Sequence, residues 1–363
     1  MIDMTGLYIH IPFCKRKCPY CDFYSLDNQN EDIFTAYVSR LCEEAKSYKD
    51  KKISVDTIYF GGGTPSILSY SQIGTILNAV KESFNVLDNA EITLEANPSS
   101  VDFNKLEGYR EVGINRISFG IQSACDGELK RLGRLHSFDE AKRAVKNARD
   151  AGFKNISADL MIATWGQTKE SLKRSVVNIA GLGVEHISCY ILKVEDNTPY
   201  AKMNISLPVE DECAEYYLLA SKLISDLGYK QYEISNFAKE GFESRHNLKY
   251  WQGEEYIGLG ASAYSYYGGV RYHNKRDLFS YLKGDNIKQT DEDEINKAEE
   301  YLALSLRLSE GISVKKYVSF GGDFGILKRA EAIPKGLIKT DGDQISLSRE
   351  GFLVSNEIIA RLL

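Results

Sequence analysis

The sequence has no apolar N-terminal segment of the kind that directs secretion, and no run long and apolar enough to span a bilayer. These absences predict a cytoplasmic protein without an integral membrane segment, although transient contact with membrane-bound partners would leave no necessary trace in the composition. A disulfide pattern is also missing, because the seven cysteines are an odd number and four of them are scattered singly. Those four are predicted to be small buried residues: Cys42, Cys125, Cys189 and Cys213.

Strong charge of one sign is missing as well. The formal net charge is −6 over 363 residues, so the chain has no global attraction to nucleic acid, and no nucleic-acid partner is expected. Lys15, Arg16 and Lys17 form a short basic run, which is more typical of a solvated loop face than of a docking site. The length exceeds what one hydrophobic core usually serves and predicts a large domain with a smaller appendage.

Three cysteines stand close together directly after an apolar run. Cys14, Cys18 and Cys21 have spacings that suit a compact loop around one inorganic centre. Three thiolates can hold three irons of a cubane cluster and leave the fourth iron open. A structural zinc ion normally takes four ligands, and His10 is the nearest further candidate. The spacing favours a cluster, and zinc and a purely structural set of cysteines remain alternatives.

Apolar runs alternate with helical patterns through the first two hundred residues. The runs predict buried strands near 6–11, 54–60, 91–96, 116–121, 156–162 and 187–192, with helices such as 31–48, 139–150 and 169–180 between them. Six such units imply parallel strands with right-handed crossovers. They fit either a partial or full barrel or a doubly wound sheet, because periodicity alone does not distinguish these folds.

Polar residues stand at the ends of several predicted strands. Glu95, Gln122 and Asp159 each occupy such a position, and a glycine run, Gly61–Gly63, follows the second strand. Each one singly could be a capping or loop residue. In α/β folds, however, the carboxyl edge of the sheet is where ligands bind. Together with the cysteine loop, these residues predict one shared site.

The pattern changes beyond residue 200. A helix is predicted at 210–227, and a segment dense in tyrosine, asparagine and glycine follows, which suggests ordered loops lining a broad pocket. The acidic patch 291–294 is predicted to open a helix, and 337–347 to form a strand and turn. We therefore divide the chain into residues 1–235, an aromatic and glycine-rich segment at 236–290, and a small α+β module of winged-helix type at 291–363.

These motifs resemble those of the radical S-adenosylmethionine (SAM) superfamily. The resemblance lies in Cys14-x3-Cys18-x2-Cys21 with Tyr20 before the last cysteine, and in Gly61-Gly62-Gly63-Thr64-Pro65. More narrowly, the chain resembles the HemN/HemW family of oxygen-independent coproporphyrinogen oxidases and haem chaperones, from Tyr8 to the final helix. The resemblance implies an α/β fold, a partial (β/α)6 TIM-like barrel of radical SAM type with a smaller α+β C-terminal domain. It also implies a [4Fe-4S] cluster and SAM as cofactors.

The resemblance further implies which residues hold the cofactors. Cys14, Cys18 and Cys21 match the cluster ligands. Arg134 could pair with the methionine carboxylate of SAM, carboxylates suit its ribose hydroxyls, and residues without a Cβ let the backbone approach its ammonium group. The positions that match the SAM site are Tyr8, Tyr20, Gly62, Gly63, Thr64, Glu95, Gln122, Arg134 and Asp159.

Two features favour the haem-chaperone branch of this family. Phe23 stands where the oxidases carry an additional cysteine, and the chain reaches Tyr8 without the N-terminal extension of the oxidases. The segment 246–251 also matches the His-Asn-x-x-Tyr-Trp motif associated with haem. His246 is then the candidate iron ligand, with Tyr250 and Trp251 packing near the macrocycle. The alternative is that His246 is a hydrogen-bonded structural histidine and Trp251 a core residue.

The resemblance predicts a chaperone that binds haem and delivers it to recipient haem proteins. The alternative is oxygen-independent oxidation of coproporphyrinogen III, or another radical reaction on a tetrapyrrole, and the motifs do not decide whether SAM is cleaved. Two departures lie near the expected pocket. After Asp159, Ala163 and Trp165 replace the glycine and proline that relatives commonly have, which predicts a differently shaped loop. Tyr264 stands where many relatives of the chaperone type have histidine.

Overall fold

The computed structural model describes residues 4–284, 289–290 and 296–363. Strands and helices alternate through its first part, as the sequence predicts. The strands are β1 (Thr5–Ile11), β2 (Ser54–Gly62), β3 (Asn85–Ala96), β4 (Arg116–Gln122), β5 (Asn155–Ile162) and β6 (His186–Ile191). The helices are α1 (Glu31–Lys46), α2 (Tyr70–Ser83), α3 (Phe103–Val112), α4 (Asp126–Arg131), α5 (Phe138–Asp150), α6 (Lys169–Ala180) and α7 (Glu210–Asp226).

The six strands are hydrogen-bonded neighbours in the order in which they occur in the chain, and every pair is parallel. A doubly wound sheet would reverse its strand order at a switch point. The sequential order is instead that of a barrel wall, which resolves the alternative that periodicity left open. The predicted partial (β/α)6 arrangement is confirmed.

The residues of each strand divide between two faces. On β1, Leu7, Ile9 and Ile11 are fully buried and belong to the same core as Phe34 and Tyr37 of α1. Between them, the polar residues Tyr8 and His10 face the interior of the barrel. Helices cover the outer side of this core. Capping boxes fix where two of them begin, with Ser69 before α2 and Ser137 before α5.

The aromatic and glycine-rich segment does not consist of loops, and that prediction is wrong. It contains α8 (Arg245–Gln252), α9 (Leu278–Lys283) and the strands β8 (Asn236–Ala238), β9 (Tyr256–Leu259), β10 (Tyr264–Tyr267), β11 (Val270–His273) and β12 (Gln289–Thr290). With β7 (Lys230–Gln231), the whole sheet runs β12-β11-β10-β9-β1-β2-β3-β4-β5-β6-β8-β7. Since β9 pairs parallel with β1 and β8 pairs antiparallel with β6, the segment extends the barrel sheet at both ends.

The C-terminal part combines short helices with a small sheet. Its elements are α10 (Lys297–Ser305), β13 (Ile312–Ser313), α11 (Val314–Ser319), α12 (Ile326–Glu331), β14 (Ile338–Asp341), β15 (Gln344–Leu347), α13 (Arg349–Leu353) and α14 (Ser355–Leu362). β14 and β15 form the predicted strand and turn, and β13 pairs with β15. The acidic patch 291–294 lies outside the described residues. Among the described helices, none has the length and apolarity needed to cross a membrane.

Candidate functional site

A cavity of about 930 Å³ opens at the carboxyl end of the parallel strands. Its wall includes every residue predicted to bind the cluster or SAM: Tyr8, Cys14, Cys18, Tyr20, Cys21, Gly62, Gly63, Thr64, Glu95, Gln122, Arg134 and Asp159. Of the predicted haem contacts, Tyr250 lines the cavity, and His246 and Trp251 do not. The structure therefore gathers the cluster and SAM positions and separates them from two of the three haem positions.

The cysteine loop follows β1 and is held at its base and on both flanks. At the base, the backbone of Cys14 donates to Leu26 at 2.9 Å. On one flank, Thr64 Oγ1 donates to Cys14 Sγ at 3.4 Å, and on the other, Arg134 Nη1 donates to Cys18 Sγ at 3.5 Å. These donors face the sulfur atoms and would stabilise thiolates.

The donor set fits a cluster. All three thiols are free and partly exposed toward the cavity, and burial raises the pKa of both Cys14 and Cys21. Since metal binding requires thiolates, cluster assembly would release protons here. In the part of the chain that the structure describes, no three His, Cys, Asp or Glu side chains converge as ligands of one ion. A cubane places each thiolate on a different iron, so its ligands need not converge.

His10, considered above as a fourth ligand, is already engaged. Its Nδ1 lies 3.0 Å from the Tyr8 hydroxyl, and its Nε2 lies 2.8 Å from the Tyr24 carbonyl oxygen. Desolvation lowers the pKa of His10 to about 4, so the ring is neutral at neutral pH. This histidine is part of the wall that supports the cavity.

The glycine run brings the end of β2 against the cysteine loop. Gly63 donates its backbone N–H to Ile11 and Thr64 donates to Phe13, at 2.9 and 2.8 Å. Gly62 has φ +110°, and a Cβ there would lie 2.4 Å from the His10 ring. A Cβ on Gly63 would lie 2.7 Å from the Phe13 oxygen. Only glycine fits both positions, and the bare backbone lines the cavity.

Two carboxylates lie on the polar floor of the cavity. Glu95 accepts a hydrogen bond from the Tyr59 hydroxyl at 2.8 Å, and Asp159 accepts one from Ser118 at 3.2 Å. Desolvation, followed by the charge of Asp159, raises the pKa of Glu95 to about 7. Desolvation also raises the pKa of Asp159. Both carboxyls retain acceptor capacity for donors of a bound ligand.

Gln122 and Arg134 complete the polar wall. Gln122 is held in the left-handed region at φ +71°, and its Oε1 accepts a hydrogen bond from Tyr190 at 3.1 Å. Arg134 Nη2 donates to the Gly120 carbonyl at 2.7 Å, and its buried Nε has no partner in the described residues. Tyr20 closes the wall beside them, and burial raises the pKa of its hydroxyl.

His246 lies beneath the cavity floor. It is 1% exposed, its Nδ1 is 2.9 Å from Thr57 Oγ1, and its Nε2 is 2.8 Å from the Tyr250 hydroxyl. Desolvation, with the nearby charges of Lys249 and Arg116, lowers its pKa to about 3. Both ring nitrogens are used, as in the alternative of a hydrogen-bonded structural histidine. Its contact with haem iron stays a prediction.

Trp251 faces the C-terminal part of the chain. Its carbonyl accepts a hydrogen bond from Ser305 at 3.1 Å, and the Arg307 guanidinium lies 5.8 Å from its ring centroid. The segment 246–251 therefore connects the cavity wall, through Tyr250, to α10. Trp165, one of the departures noted in the loop after Asp159, accepts a hydrogen bond from Arg131 at its carbonyl.

Several wall residues were not predicted from the sequence. Tyr59, Ser118, Ser188 and Tyr190 line the cavity, and each lies on a strand of the barrel. Tyr59 and Tyr190 bond to predicted SAM residues, Glu95 and Gln122. Their signal in the sequence was their spacing, since they alternate with apolar residues inside runs that otherwise read as buried strands.

Comparisons with known proteins agree with this arrangement. The model of the Radical SAM superfamily matches residues 8–178. Haem chaperone HemW of Lactococcus lactis is 35% identical over 99% of this chain and 97% of its own length. The HemW proteins of Bacillus subtilis and Escherichia coli are 36% and 34% identical over 99% of this chain, and 99% and 98% of their own lengths.

A solved structure gives the same fold. Coproporphyrinogen III oxidase (HemN) from Escherichia coli, described as a radical SAM enzyme, superposes with a TM-score of 0.86. The match covers 99% of this chain and 90% of that chain at 21% sequence identity. At this identity the likeness concerns the fold, which is that of radical SAM proteins.

Proposed function

The chain belongs to the radical SAM superfamily and, within it, to the family of the haem chaperone HemW, and from this we propose that it binds haem and delivers it to recipient haem proteins. The observation that carries the proposal is similarity over the full chain, at 31–36% identity, to relatives with that name. Phe23 supports the same branch. We place the transfer in the cytoplasm.

Membership of the superfamily implies a [4Fe-4S] cluster and SAM. Cys14, Cys18 and Cys21 would hold the cluster, which, once reduced by an external electron donor, would be able to pass an electron to bound SAM. Glu95 and Asp159 would accept hydrogen bonds from SAM, and Arg134 would donate to its carboxylate. The bare backbone of Gly62 and Gly63 would let the ammonium group of SAM approach closely. In this arrangement these residues would position SAM beside the cysteine loop.

The outer part of the cavity suits a macrocycle. Phe23 and Tyr264 line it and are 69% and 53% exposed, so flat apolar surface faces outward. Arg276 also lines the cavity and donates to the Asp22 carbonyl at 2.6 Å. Aromatic faces and a guanidinium are the groups that would bind a tetrapyrrole ring and its propionates.

Haem binding is tested on the anaerobically reconstituted protein. We expect an absorbance change that saturates at a fixed haem ratio, and loss of that absorbance when an apo haem protein is added as acceptor. No saturable haem absorbance would overturn the proposal. Formation of protoporphyrinogen from coproporphyrinogen III, with SAM and reductant, would instead establish the alternative reaction, and mass spectrometry detects it.

His246→Ala tests the predicted iron contact, and its effect on folding must be measured with it. The change leaves the hydroxyls of Thr57 and Tyr250 without their partner, so we expect the free energy of unfolding to fall by about 3–5 kcal/mol. Thr57→Val is the matched control, because it removes one of the two bonds and keeps the imidazole. Loss of the haem spectrum only in His246→Ala supports iron contact, and an unchanged spectrum in both contradicts it.

A further inference from the structure

Arg116 is a buried guanidinium without a direct counter-ion. It is 2% exposed and ranks first by volume among the fully buried side chains. Its Nη1 donates to Thr93 Oγ1 at 3.5 Å, its Nε has no partner, and no carboxylate of the described residues forms an ion pair with it. Removing a cation from water is costly unless the protein compensates it. The position of Arg116 therefore requires an explanation.

The strand register places Arg116 under the cavity floor. It pairs with Thr93 on β3, and two residues later Ser118 pairs with Glu95. Alternate residues of a strand face the same side, so Arg116 and Ser118 both face the barrel interior. Ser118 pairs with Glu95 and donates a hydrogen bond to Asp159. Arg116 therefore lies one inward-facing position, or two residues along β4, below the level of both carboxylates.

The other groups around Arg116 are mostly neutral. His186 lies 2.7 Å from Ser157 Oγ and 2.8 Å from the Tyr232 hydroxyl, and desolvation, with Arg116, lowers its pKa well below its usual value. His246 is likewise neutral. The remaining titratable or charged groups facing this region are Tyr8, Tyr59, Glu91, Arg134, Tyr190, Tyr232, Glu233, Lys249 and Tyr250.

Glu91 lies on the same face of β3, and in the described residues it forms no ion pair with Arg116. It lies two residues before Thr93, and its two carboxylate oxygens each accept a backbone N–H at 3.3 Å, from Arg245 and His246. Its hydrogen bonds thus go to the start of α8. The Arg116 charge acts on both carboxylates of the cavity floor, where it favours the ionised form and lowers the pKa of Glu95 and Asp159 against the effect of burial.

We propose that Arg116 is a positioning residue that keeps Glu95 and Asp159 ionised from a distance, so that their oxygens stay free for donor groups of SAM. A direct ion pair would occupy those oxygens. A guanidinium one inward-facing position below stabilises the negative charge of the carboxylates electrostatically and leaves their oxygens free. Burial raises the pKa of both carboxyls, and the charge of Arg116 acts against this in each. The inference rests on the SAM site of the proposed function.

The test is the pH dependence of SAM affinity, measured by calorimetry on the reconstituted protein. In the wild type, affinity should fall as the pH drops below about 7, where Glu95 takes up a proton. Arg116→Met removes the positive charge, so both carboxyls hold their protons to higher pH. We expect about tenfold weaker binding at neutral pH, recovered as the pH rises. Arg116→Lys, which keeps the charge, should restore the wild-type midpoint.

A second readout needs no cofactor. The infrared carbonyl band of a protonated carboxyl should be stronger near neutral pH in apo Arg116→Met than in apo wild type, and Glu95→Gln in that background should weaken it. Arg116→Gln replaces the methionine variant if that variant does not fold. Arg149→Met is the matched control, because it breaks the remote pair of Arg149 with Glu185 and should leave the SAM midpoint unchanged.

The outcomes separate the two proposals. If the pH dependence of SAM affinity keeps the wild-type midpoint in both Arg116→Met and Arg116→Gln, the role of Arg116 is overturned. An equal loss of affinity at every pH also overturns it, because that is the effect expected of a purely structural residue. If the wild type itself binds no SAM, the SAM site is wrong and the infrared comparison alone decides the effect of Arg116 on the carboxyls.

Discussion

At the scale of single residues, the turn after β5 holds an alanine in a backbone conformation that favours glycine. Ala163 has φ +55° and is buried. Gln167 holds the turn, accepting from the Ala163 N–H at 2.8 Å and donating to the Met161 carbonyl at 3.3 Å. The chain keeps a left-handed residue here at the expense of strain of about 1–2 kcal/mol.

Ala163→Gly should therefore be tolerated better than the same change within β5. Ala158 is equally buried and lies within the strand, so Ala158→Gly is the matched control. We expect Ala163→Gly to lose about 1–2 kcal/mol less free energy of unfolding than Ala158→Gly, because it relieves strain. Urea unfolding measures both, and equal losses would show that Ala163 is not strained.

At the scale of secondary-structure elements, one carboxylate fastens the added strands to the barrel. Glu44 of α1 is buried, and its Oε2 accepts from the Gly260 N–H and the Tyr281 hydroxyl, each at 2.9 Å. Its Oε1 accepts from Asn274 Nδ2, also at 2.9 Å. Because these partners flank β9, β10 and β11, Glu44 holds the sheet extension against α1.

Glu44→Gln should loosen that extension. The amide nitrogen would face donors in place of a carboxylate oxygen, so we expect a loss of about 3–5 kcal/mol. Amide exchange should accelerate in β9–β11 before it does so in β4 or β5. The neighbouring Glu43 has a side chain that is 62% exposed, and Glu43→Gln should cost below about 1 kcal/mol. Uniform acceleration through the sheet would contradict this role.

The order of the barrel elements could be predicted from the sequence, but the strands that extend the sheet beside β1 could not. Predicted and observed bounds agree closely for β1, β5 and α6, because alternation and capping are local signals. β3 begins at Asn85, earlier than expected. The strands β9–β11 are short and rich in tyrosine, and their stability depends on β9 pairing with β1 and on β10 and β11 adding to β9, rather than on their own pattern.

At the scale of the whole molecule, the barrel sheet and the C-terminal part meet at a hydrogen-bonded junction. Ile234 donates its N–H to Arg307, and Ser309 donates to Tyr232, at 3.0 and 2.9 Å. Glu233 is fully buried inside this junction, and its Oε2 accepts from the Ser235 N–H at 3.0 Å. Among the described residues its buried Oε1 has no hydrogen-bond partner. Desolvation raises the pKa of Glu233 to about 7.

This burial predicts a pH-dependent stability. The pKa of Glu233 in the folded state lies above the unfolded value of 4.5, so between pH 4.5 and about 7 the folded state binds the proton more tightly than the unfolded state does. The folded state therefore loses stability as the pH rises through this range. Glu233→Gln removes that loss. Its advantage over the wild type should grow across this window to about 3 kcal/mol and then level off.

Urea unfolding of the apo protein across this pH range measures the difference. The exposed Glu240 provides the control, since Glu240→Gln should follow the wild type at every pH. An advantage of Glu233→Gln that does not change with pH would mean that Glu233 does not hold its proton in the folded state.

Spacing and alternation are properties of neighbouring residues, so the cysteine loop, the order of the barrel elements and the polar residues at the strand ends could all be predicted from the sequence. Long-range packing was needed to establish that β1 to β6 pair sequentially, that β9 joins β1, and that both nitrogens of His246 are hydrogen-bonded beneath the floor. It also placed Arg116 under Glu95 and Asp159. A buried polar group takes its role from the strands beside it, and strand register is established by long-range packing.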